Sequence, residues 1–395
     1  MFKKYFYLKN NKALILFVSI FVGVVSLINA AQINTNGKLE IAADDYSFSA
    51  RITGRLHVDG NFYRSGSDRR KLPSGTFVRR ARIGVRGNFR AWEYRVDLDN
   101  ATDTPDLRGA YIRRLIGPGK FSIGQFKVFE SISEMTSSNH TTFIERAFVG
   151  HIVPGMKIGV AYNGSTGHFG YSGSIYNARK ASDGEARPTN AGVGGVLRGF
   201  YAPVHEKTTA VHFGASYAYE ATDSSGTRVR ISPLGRAEEF KDGREFRFNI
   251  YDRRDRHVKV DRIIFETAAV NGPLSIQAEY LFGQAKANKM TDDSFRVWYV
   301  ELSYVLTGEA KEYDLKRGRI ESLEPEREMG AFEISARHQR AEREKINQAE
   351  LSATEFGLTY YANANVRFLV NYGWSHNKLI DDKPRLLSTR AQFNF

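Results

Sequence analysis

Arginines at even spacing are the side chains of this sequence best suited to chemistry. Arg80, Arg82, Arg86 and Arg90 share one parity of one segment, and Arg51 and Arg55 share one parity of the segment before it. A guanidinium stays charged at any ordinary pH and presents a planar fork of donors that grips phosphate or carboxylate oxygens in pairs. A row of such groups suits an anion handed from one weak site to the next. The competing use is internal: Asp59, Glu93, Asp97 and Asp99 lie at matching positions and would tie the arginines into a stiffening network. Covalent and metal chemistry find little support. The sequence has no G-x-S-x-G, no H-E-x-x-H, no phosphate-binding glycine loop and no cysteine, and nothing in it calls for a cofactor. His57 stands near Asp59, and His212 and Ser216 share a face, so an embedded hydrolase is kept as a further alternative. Asn163-Gly164-Ser165 matches a glycosylation acceptor by pattern and is assigned no role.

A spacing of two puts side chains on one face of a β-strand. From Phe48 to Tyr63 the even positions are Phe48, Ala50, Ile52, Gly54, Leu56, Val58, Gly60 and Phe62, while the odd ones include Arg51, Arg55, His57, Asp59 and Asn61. The alternation recurs through Trp92–Asp99, Met156–Tyr162, Val211–Tyr219, Leu274–Phe282, Trp298–Leu306 and Val366–Trp374. Segments of about ten alternating residues with aromatics near their ends are the sequence sign of a transmembrane β-barrel. A soluble sandwich also alternates, but its strands would not carry so many arginines and carboxylates on one face.

The N-terminus indicates a route to a membrane. Lys3, Lys4, Lys9 and Lys12 precede the apolar stretch Ala13–Ile28, and the small residues Ala30 and Ala31 follow. The stretch is short of the ~20 residues a spanning helix needs, so 1–30 is expected to be a signal peptide and 31–395 a single barrel domain. Export also removes nucleic acid as the explanation of the formal charge of +13. At the other end Leu387, Thr389, Ala391, Phe393 and Phe395 share one face. A terminal amphipathic strand ending in Phe395 resembles the signal read by the barrel-assembly machinery of Gram-negative outer membranes.

Strands are counted by parity, with short connections periplasmic and long ones external. Arg90–Ala91, Gly117–Gly119, Asn271–Pro273 and Ala362–Asn365 read as periplasmic turns. Asp68–Gly75, Asn100–Asp106, Val128–Pro154, Ala221–His257 and the segment near Asp381 read as external loops. The count closes at sixteen when the weak candidate Glu245–Tyr251 is demoted to loop. Gly308–Gly330 is then an unusually long periplasmic connection, and its charged run Lys311–Glu328 is expected to be solvated.

Several fragments, in order, resemble the phosphate-selective porin O and P family: Phe77-Val78-Arg79-Arg80-Ala81-Arg82-Ile83-Gly84-Val85-Arg86-Gly87, Ala110-Tyr111-Ile112, Gly117-Pro118-Gly119, Ile123-Gly124-Gln125-Phe126-Lys127, Thr136-Ser137-Ser138, Ile144-Glu145-Arg146, Gln277-Ala278-Glu279-Tyr280, Leu306-Thr307-Gly308-Glu309 and Arg390-Ala391-Gln392-Phe393-Asn394-Phe395. The resemblance implies a transmembrane antiparallel β-barrel of about sixteen strands, usually a homotrimer, whose third external loop folds into the pore. That loop maps to Val128–Pro154. The expected function is a passive Gram-negative outer-membrane porin, a water-filled channel preferring anions such as phosphate or polyphosphate. A general, weakly selective diffusion porin is the alternative. Its partners would be small anions, outer-membrane lipid and the assembly machinery. Arg51, Arg55, Arg80, Arg82, Arg86 and Arg90 would line the anion pathway, with Lys127, Asn139, His140, Arg146 and Lys157 at the constriction. One departure stands out, because anion-selective members tend to carry a lysine after Thr-Ser-Ser, where this chain has Asn139. His140 beside it would restore a charge as pH falls through the imidazole range near ~6.5, unless it is simply a neutral polar loop residue.

Overall fold

Alternating segments need a surface that is apolar outside and polar inside, and a sheet closed on itself supplies it. The computed structural model describes residues 31–34, 40–45, 47–64, 74–102, 105–178, 192–222, 229–232, 234–235, 248–251, 258–287, 290–344 and 349–395. The signal peptide expected at 1–30 lies outside the described residues, as does most of the Asp68–Gly75 loop. The barrel strands are β1 (Phe48–Arg64), β2 (Gly75–Phe89), β3 (Trp92–Asp99), β4 (Asp106–Ile116), β5 (Gly119–Lys127), β6 (Met156–Thr166), β7 (Phe169–Asn177) and β8 (Val193–His205). They continue as β9 (Thr209–Thr222), β10 (Val258–Asn271), β11 (Leu274–Ala287), β12 (Met290–Val305), β13 (Ala331–Arg343), β14 (Glu350–Tyr361), β15 (Val366–Asn377) and β16 (Arg385–Asn394).

Each strand pairs antiparallel with the next, and β16 returns to pair with β1 from Arg385↔Arg64 to Asn394↔Arg55. The closed barrel therefore has the sixteen strands that parity required. Phe395 completes the seam: its N–H donates to the Gly54 carbonyl at 3.1 Å, and Gly54 N–H donates to the Phe395 carbonyl at 3.0 Å. A Cβ at position 54 would collide with the Phe395 ring, so glycine is what the closure accepts. Closure leaves no unpaired edge in lipid. The demoted segment includes Phe248–Tyr251, which among the described residues pairs with Val229–Ile231 in a ribbon separate from the barrel sheet.

The faces sort as the alternation required. Leu56, Val58, Phe62, Ile276, Val300, Phe356, Phe368 and Trp374 are exposed on the outer wall, while His57, Asp59, Asn61, Arg262, Glu266 and Arg390 are buried inside. Two inward additions fill the lumen. One is the external connection after β5, which carries two single-turn helices, α1 (Ile132–Met135) and α2 (Val149–Ile152).

The other corrects the sequence reading. The connection between β12 and β13 is solvated only in part, with Glu324, Glu326, Arg327 and Glu328 exposed. Its hairpin, Tyr313–Asp314 paired with Arg319–Ile320, turns up into the barrel. Ile320 packs with Ile132, Ala210, Ala268 and Val270, and Leu323 packs with Val305, Ala331 and Tyr361. Lys311 is buried and pairs with Glu333 at 2.5 Å. The apolar residues spaced among the charges, Tyr313, Ile320 and Leu323, are what carry this segment inward.

Candidate pore constriction

The loop 128–155 folds inward because its apolar residues need cover and its backbone finds acceptors on one half of the wall. Val128, Ile132, Phe143, Phe148 and Val149 are fully buried. At the start of α1, Ser131 Oγ accepts the Glu134 N–H at 3.3 Å, a side-chain cap. Glu279 accepts the N–H groups of Ile132 and Ser133, each at 3.0 Å, and Glu266 takes a second contact from Ile132 at 3.2 Å. Further along, Ile144 N–H donates to Asn371 Oδ1 at 2.8 Å and Phe148 N–H to Gln339 Oε1 at 2.9 Å. Glu130 is held by Arg262, with Nε to Oε1 at 2.7 Å, although burial pushes the Glu130 carboxyl above its ordinary range against that pull. Acceptors on β10 to β15 thus hold the loop against that half of the barrel. The loop tip Ser138–Thr141 reaches across to β1 and β16.

That opposite wall is arginine. The register sets Arg51 beside Arg86, Arg55 beside Arg82 and His57 beside Arg80. Arg82 is neutralised by Asp99 at 2.7 Å, and Arg95 of β3 by Asp97. Among the described residues no carboxylate lies within ion-pair reach of Arg51, Arg55, Arg80 or Arg86. Arg55 Nη1 donates to Ser138 Oγ at 2.9 Å, tying wall to loop tip. Arg80 Nη1 donates to His57 Nδ1 at 3.3 Å, and its buried Nε has no hydrogen-bond partner.

These contacts assign the imidazole. A guanidinium only donates, so His57 Nδ1 accepts and Nε2 carries the proton, which goes to Asn139 Oδ1 at 3.2 Å. The Asn139 carbonyl accepts from Gln392 Nε2 at 3.1 Å. Asn139 therefore presents its amide N–H groups as neutral donors where a fixed charge was expected, and the charge comes from the wall.

Other expected residues are placed differently. Arg90 is not on the wall, because β2 ends at Phe89. Arg90 sits in the tight turn at φ +52° with its guanidinium 5.6 Å from the Phe89 ring centre. Arg146 and Lys127 brace the loop itself: Arg146 Nε meets Glu134 Oε2 at 3.1 Å, and Lys127 Nζ lies 3.5 Å from Glu134 Oε1. Lys157 is buried 3.7 Å from Glu220. His140 Nδ1 contacts Glu321 Oε2 of the periplasmic hairpin, so its charge, when present, has a partner.

Sequence reasoning missed Arg79 and Arg367. A bulge between His57 and Val58 puts Arg79 as well as Arg80 inside, and Arg79 Nε meets Glu145 Oε1 at 3.2 Å. No alternation signals a bulge. Arg367 was legible, since it lies on the polar parity of β15. Its Nη1 donates to the Thr141 carbonyl at 3.1 Å, and its Nε and Nη2 are buried without partners. Arg390, on β16 between them, is neutralised by Asp59 through two contacts of 2.7 Å. Arg55, Arg80 and Arg367 thus stand around the loop tip Ser138–Thr141 with no carboxylate partner among the described residues.

From the periplasmic side the hairpin closes on the same tip. Arg319 donates to the Met135 carbonyl and pairs with Glu321, and Arg198 donates from Nη1 to the Arg317 carbonyl at 2.9 Å and from Nη2 to the Gly318 carbonyl at 2.7 Å. Burial raises the Glu321 carboxyl, but the hydrogen bond with His140 and the Arg319 charge outweigh it and hold the carboxyl below its ordinary value of 4.5.

A closed sixteen-stranded antiparallel barrel with an apolar exterior, a charged lumen and an inward loop defines an outer-membrane porin. The chain matches the family model described as phosphate-selective porin O and P over residues 50–395 and belongs to that family. It is 26% identical to Porin O of Pseudomonas aeruginosa, with 95% of each chain covered. Among solved structures it is similar to the anion-selective porin from Comamonas acidovorans, at 11% identity and TM-score 0.58, covering 88% of this chain and 100% of that one. OmpT of Vibrio cholerae in its trimer form is similar at 12% identity and TM-score 0.57, again covering 88% and 100%. At such identities the likeness is one of fold. Family and fold together make this chain an anion-preferring channel of the Gram-negative outer membrane.

Proposed function

We propose that orthophosphate and related oxyanions cross this channel past Arg55, Arg80 and Arg367. The observation that carries this is three guanidinia gathered on one loop tip with no carboxylate among the described residues to neutralise them. Each offers charge and forked donors to an oxyanion giving up part of its hydration, and Asn139 adds neutral donors. Arg51 and Arg86 extend the row toward the periplasm. Pairing of Arg82, Arg95 and Arg390 with aspartates favours the second reading, a general porin with mild anion preference. The reversal potential across a KCl gradient in a planar bilayer, followed by phosphate titration, separates them. A chloride-selective potential with saturable phosphate block supports the first, and a potential near zero without block supports the second.

The reading is of a channel and not a hydrolase. Ser216 Oγ donates to the Glu130 carbonyl at 2.8 Å, while His212 lies against Tyr313 and Glu266, so both side chains are engaged in holding the two inward segments. The residues 1–30 act as an export signal in this reading, Phe395 is read by the assembly machinery, and the barrel works as a homotrimer in outer-membrane lipid.

A further inference from the structure

The outer wall carries a feature that the pore does not explain. Arg64 ends β1 and Arg385 begins β16, both at the external rim, and the register sets them directly opposite each other. Both belong to the outward parity, shared with exposed Phe62 and Leu387 just below. Directly opposed strand residues hold their Cβ atoms about 4.5–5.5 Å apart, and like charges there repel. On this rim Arg296 pairs with Glu344, Arg340 with Glu350 at 2.8 Å, Lys378 with Glu350 at 2.6 Å and Lys383 with Asp381 at 2.9 Å, whereas the opposed Lys259 and Lys286 have no carboxylate partner among the described residues. Arg64 and Arg385 have none among the described residues.

We infer that this seam binds a phosphate group of an anionic lipid headgroup in the outer leaflet. One phosphate bridging two guanidinia turns the repulsion into two charge-assisted contacts. The source is a lipid because the pair faces outward, above apolar side chains that would take acyl chains. Trp374, cross-strand neighbour of Arg385, is exposed beside it at the level where aromatic girdles meet the headgroups.

The test uses the full-length refolded protein in nonionic detergent, with diphosphoryl lipid A as probe and native mass spectrometry counting retained lipid. The double variant Arg64→Gln/Arg385→Gln should weaken retention about a hundredfold, the loss of two charge-assisted contacts at about tenfold each, and Arg340→Gln should not. Monophosphoryl lipid should bind more weakly, and excess inorganic phosphate should not displace it. Unchanged conductance of the double variant reports an intact barrel, since both side chains point away from the lumen. Equal retention by the double variant overturns the inference. So does displacement by inorganic phosphate, which would make the seam a free-ion site, or a changed oligomer mass with unchanged lipid, which would assign it to a second copy of this chain.

Discussion

Replacing Arg80 with glutamine tests the proposed pathway most directly. The side chain stands on the lumen wall beside the loop tip, donates only to His57, and has a buried Nε without a partner. A unit charge about 4 Å from an anion contributes about 1 kcal/mol in water and about 4 kcal/mol at an effective dielectric of 20. The side chain is partly buried, between those two limits, and Arg55 and Arg367 remain, so the loss should be about 1.5–2 kcal/mol. That is a phosphate block weakened about 10- to 30-fold. The assay is block of chloride current in a planar bilayer as phosphate is titrated, with Arg90→Gln as control because Arg90 lies in a turn off the wall. Folding should survive, since the removed charge has no carboxylate that would be left buried and unpaired. A block constant unchanged in Arg80→Gln, or lowered equally in Arg90→Gln, would refute the assignment.

Asp99→Asn should act oppositely. Freeing Arg82 from its 2.7 Å partner adds an unpaired guanidinium to the wall, so phosphate block should tighten and the KCl reversal potential should shift toward chloride. Glu279→Gln leaves one carbonyl oxygen to serve the two N–H groups of Ile132 and Ser133, so the loop should loosen by about 1–3 kcal/mol and single-channel conductance should rise and become noisier. For pH, Glu321 is held below its ordinary 4.5, so its stabilisation of the loop–hairpin contact is present above that value and lost only as pH falls through the lower folded value.

The barrel was legible because most strands alternate, apolar outward and polar inward, with the parity of turns fixing the count, while on β10 to β12 inward Val258, Val260, Ile264, Leu281, Phe295 and Val297 depart from that rule to pack against the loop. Arg51, Arg55, Arg80, Arg82 and Arg86 were legible for the same reason. Arg90 was not, because alternation says nothing about where a strand stops, and a turn one residue past Phe89 takes the side chain off the face. Arg79 was hidden by a bulge, which breaks the period that made its neighbours readable. The charged run Lys311–Glu328 misled in its first half, where Lys311, Arg319 and Glu321 are paired internally, while Glu324, Glu326, Arg327 and Glu328 are exposed. Arg319 with Glu321, and Lys311 with Glu333, let a polar segment enter the lumen that Tyr313, Ile320 and Leu323 draw inward.

The division of the lumen explains why this loop needs no lysine at its tip. Neutralising inward arginines with carboxylates is the cheaper arrangement, and most of the barrel follows it: Arg198 with Glu266, Arg262 with Glu130 and Glu220, Arg337 with Glu355. Those pairs lie on the half that anchors the loop, where the carboxylates also accept its backbone N–H groups. Around the tip the compensation stops, and Arg55, Arg80 and Arg367 touch neutral partners, Ser138 Oγ, His57 Nδ1 and the Thr141 carbonyl. Charge left uncompensated beside a narrow passage attracts mobile anions and excludes cations. Under the proposed function, selectivity would reside in what the wall lacks at one level, its aspartates, as much as in the arginines themselves, and Asn139 would serve by orienting His57 while adding no charge that would hold the anion too tightly to release.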